Sequence, residues 1–204
     1  MYTNIARRFS GFLPVVVDCE TGGVDSEKDA LLEVCAVVLG YDDQGLLCKQ
    51  EMFHYHIKPF DGAVISERSL EVTQIKPDHP FRFAVTEKEM VSDLTQKLQK
   101  RCLLQRARKA VLVGHNAAFD LGFIKAAYER ENALKSFPFH RFVSLDTATL
   151  TTIWAQESVL ARAMYRLKVP FDVDDAHSAL YDAEKTAEMF CKIINQIDKL
   201  KKTR

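Results

Sequence analysis

Apolar residues fall in short continuous runs early in the chain and at helical spacing later. Leu13 to Cys19 (LPVVVDC) is a β-branched apolar run of strand length, as expected for a strand buried on both faces. Leu31 to Leu39 reads as a second strand and Leu46 to Ile57 as a third, with Tyr41–Gly45 (YDDQG) as the hairpin turn between them. Short connections make these three antiparallel neighbours. Glu87 to Gln105 then has helical periodicity, Ala110 to Gly114 is a buried strand, and Ala117 to Arg130 is a helix directly after it. Phe142 to Leu145 forms a short last strand, and Asp146-Thr147 caps the helix that follows. In the final helix, Ser178 to Leu200, the residues Leu180, Ala183, Ala187, Phe190, Cys191 and Ile194 recur on one face. The series β-β-β-α-β-α-β-α predicts an α/β fold, a mixed sheet flanked by helices. No repeat, low-complexity stretch or boundary divides it, so residues 1–204 are expected to form a single domain.

Composition narrows the class without deciding it. Nearly half the residues are apolar, and 28 basic residues balance 28 acidic ones. Neutrality argues against a simple nucleic-acid coat but allows an acidic site in one place and a basic patch in another. Five scattered cysteines (Cys19, Cys35, Cys48, Cys102, Cys191) contain no C-x-x-C pair. Reduced thiols in a cytoplasmic protein are the expectation, and neither a zinc ribbon nor a redox motif is indicated. No apolar stretch approaches membrane-spanning length, and none follows Arg7 and Arg8 as an export signal requires.

Three groups of residues carry chemistry. Asp18 and Glu20 end the most apolar strand, and residues two apart on a strand share a face. Two carboxylates projecting together at the carboxyl edge of a central strand are costly unless a cation sits between them. Asp120 follows the Gly114-His115-Asn116 loop in the first turn of a helix, where an acid also has an ordinary dipole role. His115 and Asn116 are expected to hold that loop by hydrogen bonds. His177 and Asp182 are five apart, about 140° on a continuous helix, so both face one site only if His177 lies in the loop before it. Glu33 sits in an apolar strand and is tempting as a further ligand; a buried acid hydrogen-bonded to neighbouring backbone explains it at least as well, so it is left out of the catalytic set.

The order and spacing of these groups resemble the DEDD exonuclease superfamily in its histidine form. The tyrosine form would carry Tyr where Ser178 stands. Glu20-Thr21-Gly22-Gly23, His56-Ile57-Lys58-Pro59-Phe60, Pro138-Phe139-His140 and His177-Ser178-Ala179-Leu180-Tyr181-Asp182 are similar to the ribonuclease T family in particular, over nearly the full length. The resemblance implies a ribonuclease H-like fold and a magnesium-dependent 3′→5′ exonuclease acting on tRNA and other stable RNAs, and on single-stranded DNA overhangs. Asp18, Glu20, Asp120 and Asp182 would hold two Mg2+ ions, and His177 would act as general base. The implied products are nucleoside 5′-monophosphates.

The resemblance further implies a homodimer in which a basic patch of one subunit feeds the active site of the other. Arg8, Lys109 and Lys135 fall at basic positions of that patch, while Ser10 and Leu103 replace others. The wider basic cluster Lys97, Lys100, Arg101, Arg106, Arg108 and Lys109 reads equally as a solvated face. Phe119 and Phe142 match positions where the family stacks terminal bases; Val24, Arg68 and Val72 stand where it carries an aromatic, a glutamate and another aromatic. A DNA proofreading exonuclease shares the metal site but would normally accompany a polymerase. A non-catalytic nucleic-acid-binding relative would lack a ligand, and none is missing here.

Overall fold

The computed structural model describes residues 4–202. A short helix, α1 (Ile5–Arg8), leads into β1 (Phe12–Thr21), followed by β2 (Leu31–Tyr41) and β3 (Leu47–His56). Then come α2 (Glu67–Thr73), α3 (Glu87–Leu104), β4 (Lys109–Gly114), α4 (Ala118–Arg130), β5 (Phe139–Asp146), α5 (Thr147–Ala155), α6 (Leu160–Arg166) and α7 (Ala179–Lys202). The five strands form one sheet in the order β3-β2-β1-β4-β5. The first three are antiparallel neighbours, and β4 and β5 add in parallel to β1. This is the expected mixed sheet.

The register fixes where side chains project. Asp18 pairs with Cys35 and Glu20 with Glu33 across β1 and β2; Glu33 pairs with His56 across β2 and β3. Alternation therefore places Asp18, Glu20, Glu33, His54 and His56 on one face. Helix α7 packs over that face along β1, β2 and β3. Asn195 pins it to the start of β3, accepting from the Leu47 N–H at 2.8 Å and donating to its carbonyl at 2.9 Å. The opposite face takes α3, where Asp93 accepts from the Tyr55 hydroxyl at 2.8 Å. Strands β1 and β2 are buried almost throughout, the reason their sequences are continuously apolar rather than alternating.

Helix signals in the sequence correspond to observed caps. Thr86 and Glu89 form a reciprocal capping box at the start of α3, and Asp146 accepts from the Thr149 N–H at 2.6 Å to begin α5. The last strand is longer than its sequence implies, because parallel pairing of Ala110 with Phe139 extends it backward. Helices α2 and α6, of seven residues each, are too short to establish a periodic pattern.

Candidate active site

Strands β1 and β4 run parallel, so their carboxyl ends meet at one edge of the sheet. β1 delivers Asp18 and Glu20 there. Asp182, in the first turn of α7, arrives from above, and the three carboxylates have oxygens within 4.8 Å of one another. Asp120 comes from the first turn of α4, after the chain turns sharply at Gly114. A methyl group on Gly114 would stand 3.2 Å from Asp120 Oδ2, from the Val17 carbonyl and from the Ala117 Cα, tighter than most side-chain contacts, so a larger residue would have to push this loop away from β1.

Asp182 is held by the backbone of the loop before α7. His177 occupies the loop before α7 with φ of 66°, a conformation costly for a non-glycine residue. Its N–H donates to Asp182 Oδ2 at 3.0 Å, which leaves the imidazole exposed and unrestrained by that bond. The loop position expected from the five-residue spacing is the one observed. Asp182 Oδ1 is buried and, among the described residues, has no hydrogen-bond partner.

Electrostatics point the same way. Burial raises the Asp18 carboxyl well above its usual range, and the charges of Asp120, Glu20, Asp182 and Glu33 raise it further. Burial together with Asp182, Glu33 and Asp120 pushes Glu20 up to about 8. Burial pushes Asp120 up to about 7, against hydrogen bonds from its own backbone and from the Cys19 backbone and thiol. Burial also raises Asp182, against the His177 N–H. Four acids that resist ionising together, one with an orphaned oxygen, fit divalent cations that take oxygen ligands.

The remaining candidates divide. His115 bonds to Thr147 Oγ1 at 3.0 Å and to the Ser158 carbonyl at 2.7 Å, the loop-holding role expected of it. Asp146 caps α5 and also accepts from the Ala117 N–H at 2.9 Å, bracing the Asp120 loop. Phe119 is partly exposed beside Asp120, while Phe142 is 90% exposed on β5, where the ladder skips register. Val24, Arg68 and Val72 are all exposed. Lys109 and Lys135 line one surface concavity with Arg108. Lys109 Nζ donates to the Phe137 carbonyl at 3.0 Å. Arg8 is tied to Asp198 of α7 at 2.9 Å. Arg101 and Lys97 are engaged by Glu51 and Asp93, as on an ordinary solvated face.

Of the two roles open to Glu33, hydrogen bonding to neighbouring backbone is not the one observed. Its carboxylate bonds to the His54 ring, with His56 alongside. The His-x-His alternation of β3 places both rings on the carboxylate face, a signal of which sequence reasoning took only His56, as part of a family motif.

The sequence profile of the Exonuclease family matches residues 15–190, and the chain belongs to that family of nuclease hydrolases. Its fold is ribonuclease H-like. E. coli exonuclease I in complex with a dT13 oligonucleotide superposes with a TM-score of 0.71 at 15% identity, over 94% of this chain and 43% of that one, so the chain spans less than half of that protein. The nuclease domain of 3′hExo, a DEDDh family member bound to rAMP, superposes with a TM-score of 0.69 at 15% identity, over 90% and 92% of the two chains. Within the family the chain belongs with ribonuclease T: it is 46% identical to ribonuclease T of Vibrio vulnificus (strain CMCP6) over 194 residues, 95% of this chain and 89% of that one.

Proposed function

We propose that the chain is a 3′→5′ exoribonuclease that trims the 3′ ends of tRNA and other stable RNAs and releases nucleoside 5′-monophosphates. The observation that carries this reading is the meeting of Asp18, Glu20 and Asp182 around a buried, unpartnered carboxylate oxygen, with Asp120 beside them. An all-oxygen donor set suits magnesium better than softer metals. When bound, two such ions would supply stabilisation of the attacking and leaving oxygens. Asp18, Glu20, Asp120 and Asp182 would hold them, each acid kept in place by strand, helix or backbone hydrogen bond. His177, exposed on its loop beside Asp182, takes the proton from the attacking water as general base. Phe119 and Phe142 stack on the terminal bases without reading sequence.

Placement of the basic residues supports action as a homodimer. Lys109 pairs with Phe12 at the start of β1, whereas Asp18 lies six residues further along. At about 3.3 Å per residue the Lys109–Lys135 patch is roughly 20 Å from its own carboxylates, at the opposite edge of the sheet. A patch so placed serves a partner's active site more readily than its own. Arg8, already paired with Asp198, contributes to the patch only by exchanging that partner for phosphate. Single-stranded DNA is the second substrate class, favoured by the likeness in fold to an exonuclease holding dT13. We place the enzyme in the cytoplasm, as a single exonuclease domain.

Digestion of an end-labelled tRNA and a matched single-stranded DNA, with and without magnesium, tests the reading. Stepwise shortening from the 3′ end, faster on RNA and absent without magnesium, is expected. Equal loss of label in EDTA would remove the metal-dependent mechanism.

A further inference from the structure

Next to the catalytic carboxylates, on the same face of the sheet, lies a group of different chemistry. Glu33 is 5% exposed on β2; its carboxylate bonds to Nε2 of His54 on β3, and His56 stands beside them. One ligand atom from each of the three lies within 4.8 Å of the others. The two rings meet edge to face, with centroids 4.7 Å apart. Nδ1 of His56 is buried and, among the described residues, has no hydrogen-bond partner. A buried nitrogen that forgoes hydrogen bonding is costly, and an unfilled ligand position is one explanation of it.

We infer that Glu33, His54 and His56 form a second metal site, distinct from the catalytic carboxylates, that takes one borderline transition-metal dication such as Zn2+. Two imidazoles and one carboxylate suit zinc, cobalt or nickel, whereas magnesium prefers oxygen alone. Three protein ligands leave a fourth position for water. Glu33 and His54 already touch through a hydrogen bond, so metal replaces the shared proton and moves the two slightly apart. Arg82 brings a positive charge close by, but its guanidinium is committed to the carbonyls of Leu32 and Ile57 and does not occupy Glu33. That charge weakens the site for every dication alike, and only metals that bind imidazole strongly offset the repulsion. The catalytic acids and this triad are joined by the Glu20–Glu33 pair, so the two sites share one strip of the sheet while selecting different ions.

Cobalt titration of the Asp18→Asn/Asp182→Asn protein separates the two, because this background lacks two catalytic carboxylates. One equivalent of Co2+ should produce a visible absorption band that excess magnesium leaves in place. His54→Asn or His56→Asn should weaken cobalt binding by about 100-fold or more, at unchanged circular dichroism. If His54→Asn does not fold, His56→Asn still decides, since the unpartnered Nδ1 means that its loss breaks no hydrogen bond at that atom. A flat titration, a band displaced by magnesium, or a band unchanged in the His56 variant would overturn the inference. A flat titration accompanied by slower turnover in Glu33→Gln would leave the triad a purely positioning role.

Discussion

Replacing Glu20 with glutamine should stabilise the metal-free protein above neutral pH. The Glu20 carboxyl rises from an ordinary 4.5 to about 8, first through burial and then through Asp182, Glu33 and Asp120. Between those two values the unfolded chain has lost a proton that the folded chain keeps. Folding stability therefore falls as pH rises through that window, and the loss is complete above the folded value. At about 1.4 kcal/mol per pH unit, the interval caps the cost near about 5 kcal/mol. The neighbouring acids share protons and the site relaxes, so we expect roughly 2 kcal/mol, or roughly 4–8 °C in Tm for a chain of this size. The glutamine side chain keeps the shape and carries no charge, so the variant escapes this loss. Urea denaturation in EDTA at about pH 5 and about pH 8.5 measures it: the two proteins should be similar at the lower pH, and the variant more stable at the higher. Saturating magnesium should stabilise the wild type, by about 2.7 kcal/mol at a hundredfold excess over Kd, and the variant less. A variant no more stable than wild type at the higher pH would refute the claim that uncompensated charge at this edge is held in check by cations.

His177→Ala should cut kcat by about 10²–10⁴ while leaving magnesium affinity, measured by calorimetry, almost unchanged. A large loss of magnesium binding would instead make the histidine a ligand. A patch variant (Lys109→Ala with Lys135→Ala) and Asp182→Asn should each be inactive alone yet regain part of the activity when mixed. No recovery after confirmed subunit exchange would argue for a patch serving its own site. Because exposed Val24 and Val72 cannot stack, and Arg68 offers charge instead of a carboxylate, 3′-terminal base preference should be weak. Trimming rates on oligomers differing only in their last two nucleotides measure it, and a strong stall at one base would assign the wedging to other residues.

How far the sequence carries these features depends on whether their cause is local. Strands β1 and β2 were legible because burial on both faces demands continuous apolar runs, and α3, α5 and α7 because caps and periodicity are local signals. The five-residue spacing, given one shared site for His177 and Asp182, put His177 in the loop before α7, and the shared face of Asp18 and Glu20 follows from strand alternation. What spacing could not give is the orphaned Asp182 oxygen, which depends on how α7 settles over the sheet. Strand β5 begins earlier than its composition suggests, since its first pairing is set by β4. The partners of Glu33 escaped for the same reason: His54 lies on another strand, and only register brings the ring to the acid. Arg8 reads as free for phosphate in sequence, yet it meets Asp198 across a separation of 190 residues.

The most direct test of the four-carboxylate exonuclease follows a single-stranded RNA labelled in its 3′-terminal nucleotide, incubated with magnesium and either wild type or Asp182→Asn. Asn preserves the volume of Asp182 and removes the oxygen that lacks a partner, so the fold should persist by circular dichroism. The account predicts that the wild type releases the label as a nucleoside 5′-monophosphate from the first turnover and that Asp182→Asn releases none. Label appearing first in internal fragments or as a 3′-phosphate, or release by the Asn variant at the wild-type rate, would contradict it.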